Sequence, residues 1–166
     1  MKKVLFLMLM LSAGLTASAQ EGEWMSQTIQ GDELKGTETT VAHYYIQEDM
    51  GVFVFWDNKN GFAISSHKMF KSTVSNGDTG SLAFVGLYDN DGNLKEKMEI
   101  WMILERGSDY KRLFAVETRN NPLVKGHKRN IKKILDAVRS GDGYVRILAG
   151  RYQTSDFDIK IPPFKE

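Results

Sequence analysis

Residues 82–104 read "LAFVGLYDNDGNLKEKMEIWMIL". Two apolar runs flank one short polar cluster, and the cluster holds Asp91-Gly92. Asp-Gly between apolar runs is a strong hairpin signal, because glycine takes the positive φ that a tight turn needs. The competing reading is a calcium loop, since Asp89, Asp91 and Asn93 carry oxygens at alternate positions. A loop of the EF-hand kind needs glycine sixth and a bidentate glutamate twelfth. Counted from Asp89, Gly92 is fourth and the twelfth residue is Ile100. The spacing selects a turn between antiparallel strands. "WDNKNGF" at residues 56–62 repeats the construction with a single acid.

The flanking runs carry a second message. "LAFVGLY" and "MEIWMIL" are apolar on both faces apart from Glu99, as is "VFVFW" at residues 52–56. Such strands need cover on two sides, from an opposing sheet and from a helix, loop or partner subunit. "FDIKI" at residues 157–161 differs. Phe157, Ile159 and Ile161 point one way and Asp158 and Lys160 the other, as in a strand with one wet face. β-branched and aromatic runs between Gly, Asn and Asp clusters predict strands at Trp24–Ile29, Thr39–Gln47, Val52–Trp56, Phe62–Ser66, Leu82–Tyr88, Lys97–Glu105, Leu113–Thr118, Tyr144–Ala149 and Phe157–Ile161. The turns include "EDMG", "SNGDTG" and "RGSDYK". One segment keeps a helical period instead. "HKRNIKKILDAVRSG", residues 127–141, sets Ile131, Ile134, Leu135 and Val138 on one face, with Gly141 as its stop and Pro122 upstream. The expected fold is mainly β: an antiparallel two-sheet β-sandwich, or a partly open barrel, with one C-terminal α-helix packed on a sheet.

The N-terminus reads "MKKVLFLMLMLSAGLTASAQ". Lys2 and Lys3 precede an apolar run from Val4 to Leu11, and Ala17 and Ala19 form a small-x-small cleavage site. That pattern predicts a secretory signal peptide over residues 1–19, cut after Ala19. The run falls short of the roughly 20 residues of a membrane span. Residues 20–166 are then expected to form one domain, long enough to bury a real core. The chain has 22 basic and 21 acidic side chains, so no global field favours nucleic acid or an anionic membrane. It has no cysteine, which excludes thiol catalysis, disulfides, cysteine-type zinc sites and a lipoprotein anchor. The expected product is a bacterial exported protein, periplasmic or secreted.

Three landmarks sit in order: Trp24, then "IKKILDAVRSGDGYVRILAG" at residues 131–150, then "FDIKIPPF" at residues 157–164. An early Trp, a β-rich body and a late helix running into a strand resemble small exported bacterial β-sandwich proteins of the invasion-associated locus B type. The likeness is one of layout across most of the chain. It implies a sandwich and a non-enzymatic role, and it transfers no functional residue. Those proteins commonly carry cysteines, and this chain carries none.

Residue by residue, little assembles into chemistry. His43, His67 and His127 have no HxH or HExxH spacing, so isolated structural histidines are expected and no metal or cofactor. Ser65 and His67 share a strand face, but no G-x-S-x-G or S-x-x-K accompanies them. Glu99 and Glu105 share a face about 20 Å apart along a strand, too far for one glycosidic bond. The strongest surface feature is basic. Lys125, Lys128, Arg129, Lys132, Lys133 and Arg139 lie on the helix away from its apolar stripe, with Asp136 among them. Such a patch suits an envelope protein, an acidic glycan or a lipid phosphate better than nucleic acid. Trp24, Trp56 and Trp101 could stack a sugar if exposed, although such residues more often fill a sandwich core; Trp56, ending a strand at a turn, is the candidate aromatic contact. The expected function is an exported envelope or secreted binding or interaction protein, non-enzymatic and not membrane-spanning. A small carbohydrate- or lipid-binding module is the alternative, and a small hydrolase the second.

Overall fold

The computed structural model describes residues 22–47, 51–65, 80–104, 112–116, 124–149 and 157–165. The signal segment, Ser66, His67, Glu105, Pro122 and the turns "SNGDTG" and "RGSDYK" lie wholly or mostly outside the described residues. Nine strands appear among the described residues: β1 (Trp24–Ile29), β2 (Thr40–Gln47), β3 (Gly51–Trp56), β4 (Gly61–Ser65), β5 (Gly80–Tyr88), β6 (Leu94–Leu104), β7 (Arg112–Val116), β8 (Tyr144–Ala149) and β9 (Phe157–Ile161). One α-helix, α1 (His127–Ser140), separates β7 from β8. The strands occur where alternation and β-branched runs predict them. β6 begins three residues before the predicted Lys97, because the Asp-Gly turn is tight and pairing resumes at Leu94.

Every ladder is antiparallel, in the order β1-β2-β3-β4-β7-β6-β5-β8-β9. The order resolves into two four-stranded sheets, β1–β4 and β6-β5-β8-β9, with β7 between them. β7 pairs with β4 along its whole length, but with β6 only at Ile103↔Phe114 and Leu104↔Leu113. That short ladder is the seam of the sandwich. No ladder joins β1 to β9, so the barrel stays open.

One core lies between the sheets. Phe53, Phe55, Phe62 and Ile64 come from the first sheet, and Val85, Ile100, Ile147 and Ile159 from the second. Ile131, Ile134, Leu135 and Val138 of α1 join the same cluster. Each such side chain contributes about 1.5–3 kcal/mol by leaving water. α1 packs on the strands as expected, most closely on β6 and β8, and it also touches β4 and β7. Its first turn fills the seam. The Trp101 backbone N–H donates to His127 Nδ1 at 3.2 Å, and Asn130 Nδ2 donates to the Glu99 carbonyl at 2.9 Å. Two buried polar side chains thus bond the edge of β6 that β7 leaves open, as buried backbone groups require. Gly141, with φ +80°, ends the helix as expected.

Burial on both faces holds for β3, where Val52 and Val54 are buried opposite Phe53 and Phe55. It holds only in part for β5 and β6. Their inward residues are buried, whereas Leu82, Phe84, Trp101 and Ile103 are half-buried on the outer face. Long side chains supply some of that cover. Tyr88 packs against Gly86, and Lys97 Nζ lies 5.7 Å from the centre of the Phe84 ring.

The chain after β9 crosses back over the core. Phe164 N–H donates to the Val138 carbonyl at 2.7 Å, and Trp24 Nε1 donates to the Pro163 carbonyl at 3.1 Å. The tail ties α1 to β1. Among the described residues no helix is long and apolar enough to cross a membrane.

Candidate functional site

The fold divides the basic face of α1. Lys132 is paired with Asp136 one turn on, and Lys133 reaches Glu96 on β6. Both charges are locally answered. Lys125, Lys128 and Arg129 gather at the N-terminal end, whose first turn holds no acid. Cations there oppose the helix dipole, at about 0.3–1 kcal/mol each. Arg139 stands ten residues beyond Arg129, roughly 15 Å along the axis. The predicted patch is therefore two groups at opposite ends of one helix.

Arg139 is the better placed. It sits at the C-terminal end, where the dipole favours a cation. Its Nη2 donates to the Trp56 carbonyl at 3.4 Å, and its guanidinium lies 5.1 Å from the centre of the Phe55 ring. No carboxylate reaches it among the described residues. In the β3–β4 turn, Lys59 Nζ lies 5.1 Å from the centre of the Trp56 indole. Arg139 reaches the backbone of Trp56 but not its ring, because Phe55 and Trp56 point to opposite faces of β3. The Trp56 ring is half-buried on the outer face against Ala42, Val54 and Ala63. The other tryptophans do not join it. Trp24 lies among Tyr45, Phe53, Phe55 and Phe164 on the core side, and the indole of Trp101 on β6 packs over Gly80 on β5.

The oxygens of "YDNDGNL" are used by the turn itself. Gly92 has φ +83°. Asp89 Oδ1 accepts from the Asp91 and Asn93 N–H groups at 3.0 and 2.8 Å. Asp89 Oδ2 accepts from Asn93 Nδ2 at 3.2 Å and pairs with Lys95 at 2.7 Å. The bond from Lys95, helped by the Asn93 backbone, lowers the Asp89 pKa to about 2. This is a hairpin device, and its carboxylate is already surrounded by donors. Among the described residues no group of three His, Cys, Asp or Glu is placed to hold a metal ion.

One polar constellation escaped the sequence. Ser26 on β1, His43 on β2 and Asp57 after β3 form a chain of hydrogen bonds. Ser26 Oγ is 2.8 Å from His43 Nδ1, and His43 Nε2 is 2.8 Å from Asp57 Oδ1. With the carboxylate accepting from Nε2–H, the neutral ring offers Nδ1 as acceptor for the Ser26 hydroxyl. The His43 side chain is 9% exposed. Phe55 and Phe164 lie against it, with centroid separations of 4.8 and 4.4 Å. Separations of 17 and 14 residues hide this group from any local motif. The available signal was register: β1–β2 pairing sets Ser26 opposite His43.

The chain matches no protein-family model, no curated protein and no solved structure.

Proposed function

We propose that the chain is an exported binding protein whose contact site is the corner where the end of α1 meets the β3–β4 turn. The observation that carries this reading is Arg139 itself, exposed at the end of α1 and held against the Phe55 ring and the Trp56 carbonyl. An exposed guanidinium resting on Phe55, with no carboxylate partner among the described residues, keeps its charge for an incoming anion. Lys59 adds a second exposed cation in the β3–β4 turn. Lys125, Lys128 and Arg129 extend the same sign to the far end of the helix. Cations spaced along about 15 Å suit an extended acidic glycan, whose carboxylates meet them in turn. The N-terminal signal pattern and the layout shared with exported sandwich proteins support a place in the envelope or secretome.

A thermal melt tests the reading. A polyuronate at 100 times its dissociation constant should add about 2.7 kcal/mol, a rise of several degrees for a domain of this size. A neutral glycan should add nothing. Arg139→Ala and Lys59→Ala should each remove most of the rise while shifting the ligand-free melt little, since both side chains are exposed. A flat polyuronate response, or one that both variants keep, would contradict the proposal. A rise only with anionic lipid vesicles would replace the glycan by a lipid phosphate.

A further inference from the structure

We propose that Ser26 is a nucleophilic serine, activated by His43 and Asp57, that accepts an acyl group from an ester or another activated acyl donor. This goes beyond the binding role and rests on different residues, so either reading can fail without the other.

Strand register supplies the first argument. Asp57 N–H donates to the Val41 carbonyl at 3.1 Å, which marks 41/57 as a hydrogen-bonded position between β2 and β3. Bonded positions alternate in an antiparallel ladder, so His43 turns its backbone groups toward β3. Ser26↔His43 is then a non-bonded pair of the β1–β2 ladder, the kind that brings side chains closest. Ser26 therefore turns its own N–H away from β2. β1 ends the strand order, so among the described residues that N–H faces an edge with no ladder partner. A backbone donor beside the nucleophile is what a developing oxyanion needs.

Rigidity supplies the second. Phe55 and Phe164 pack against the imidazole, and both its nitrogens are bonded, so the ring has no room to turn. Ser26 itself is exposed. The base is enclosed and oriented while the hydroxyl is open to solvent, with nucleophile, base and orienting carboxylate in hydrogen-bond sequence. The ring nitrogens are exchanged relative to the familiar serine-protease arrangement, and the proton path is equivalent. As Ser26 Oγ bonds to the acyl carbon, its proton moves to Nδ1. The alkoxide leaving group then departs with that proton, leaving acyl-Ser26 and a neutral imidazole. A water attacking the acyl carbon gives its proton to Nδ1, which returns it to Oγ as the acid leaves.

The test is labelling of the full chain with a fluorophosphonate, which bonds phosphorus to Oγ and expels fluoride. The expected result is one label per chain, mapped to Ser26 by mass spectrometry and absent in Ser26→Ala. Asp57→Asn should label at least tenfold more slowly with an unchanged melt, because the Asp57 side chain is 55% exposed in a turn. That rate separates an orienting carboxylate from a merely structural one. A folded wild-type chain that stays unlabelled, a label on another serine, or an Asp57→Asn variant labelling at the wild-type rate would each overturn the proposal.

Discussion

Gly92 and Gly143 share a positive φ, +83° and +66°, but not their surroundings. A Cβ on Gly92 would meet nothing within 4 Å, whereas one on Gly143 would run into the Tyr88 carbonyl. The Gly143 N–H also donates to Asn90 Oδ1 at 3.1 Å, clipping the β5–β6 hairpin to the α1–β8 turn. Gly92→Ala should therefore cost about 1–2 kcal/mol, the backbone penalty alone. Gly143→Ala should cost about 3 kcal/mol or more, because steric displacement is added. Denaturant midpoints of the two variants check the difference, and millimolar calcium should move neither. Asp89 gives a pH signature at the same scale. Its pKa falls from 3.8 to about 2 on folding, so its charge stabilises the native state above 3.8 and loses that effect as pH drops toward about 2. Asn keeps an acceptor for the turn but not the charge. The melting gap between wild type and Asp89→Asn should be full at neutral pH and shrink on acidification through that window. Asp-Gly was legible in the sequence because its demand is local. The demand on Gly143 was not, since Tyr88 lies 55 positions away.

Among the elements, α1 was the most legible, because four apolar residues at helical spacing leave little choice of face. All four are buried in the core. Ile134→Asp places a carboxylate where exposure is 0%, and should destabilise by more than about 4 kcal/mol; an unchanged melt would contradict the packing. What the helix does at its start was hidden. His127 and Asn130 look like ordinary polar residues in sequence. Their role arises only because β7 pairs with β6 for two residues and leaves Glu99 and Trp101 to be bonded by α1. Lys133 was read as part of a free basic face for a similar reason: its partner, Glu96, lies 37 residues away.

For the whole molecule, strand positions followed from local alternation, and the mainly β sandwich with one helix followed from them. Strand order did not. It depends on which runs meet across the core, and β7 between β4 and β6 has no local signature. The candidate sites divide in the same way. Arg139 and Trp56 were each visible as a helix-end cation and a turn aromatic, but the seating of Arg139 on Phe55 and the Trp56 carbonyl needed the tertiary fold. Ser26, His43 and Asp57 needed strand register as well. The corner formed by Arg139, Trp56 and Lys59 carries the functional account, and its most direct test is a titration of the isotope-labelled chain with a polyuronate, followed by backbone and indole N–H shifts. The account predicts that the largest changes fall on Trp56, Lys59 and Arg139, weaken with added salt, and extend toward Lys125 and Arg129 as the glycan lengthens. Changes centred on the outer face of β5, β6 and β8, or no changes at all, would contradict it.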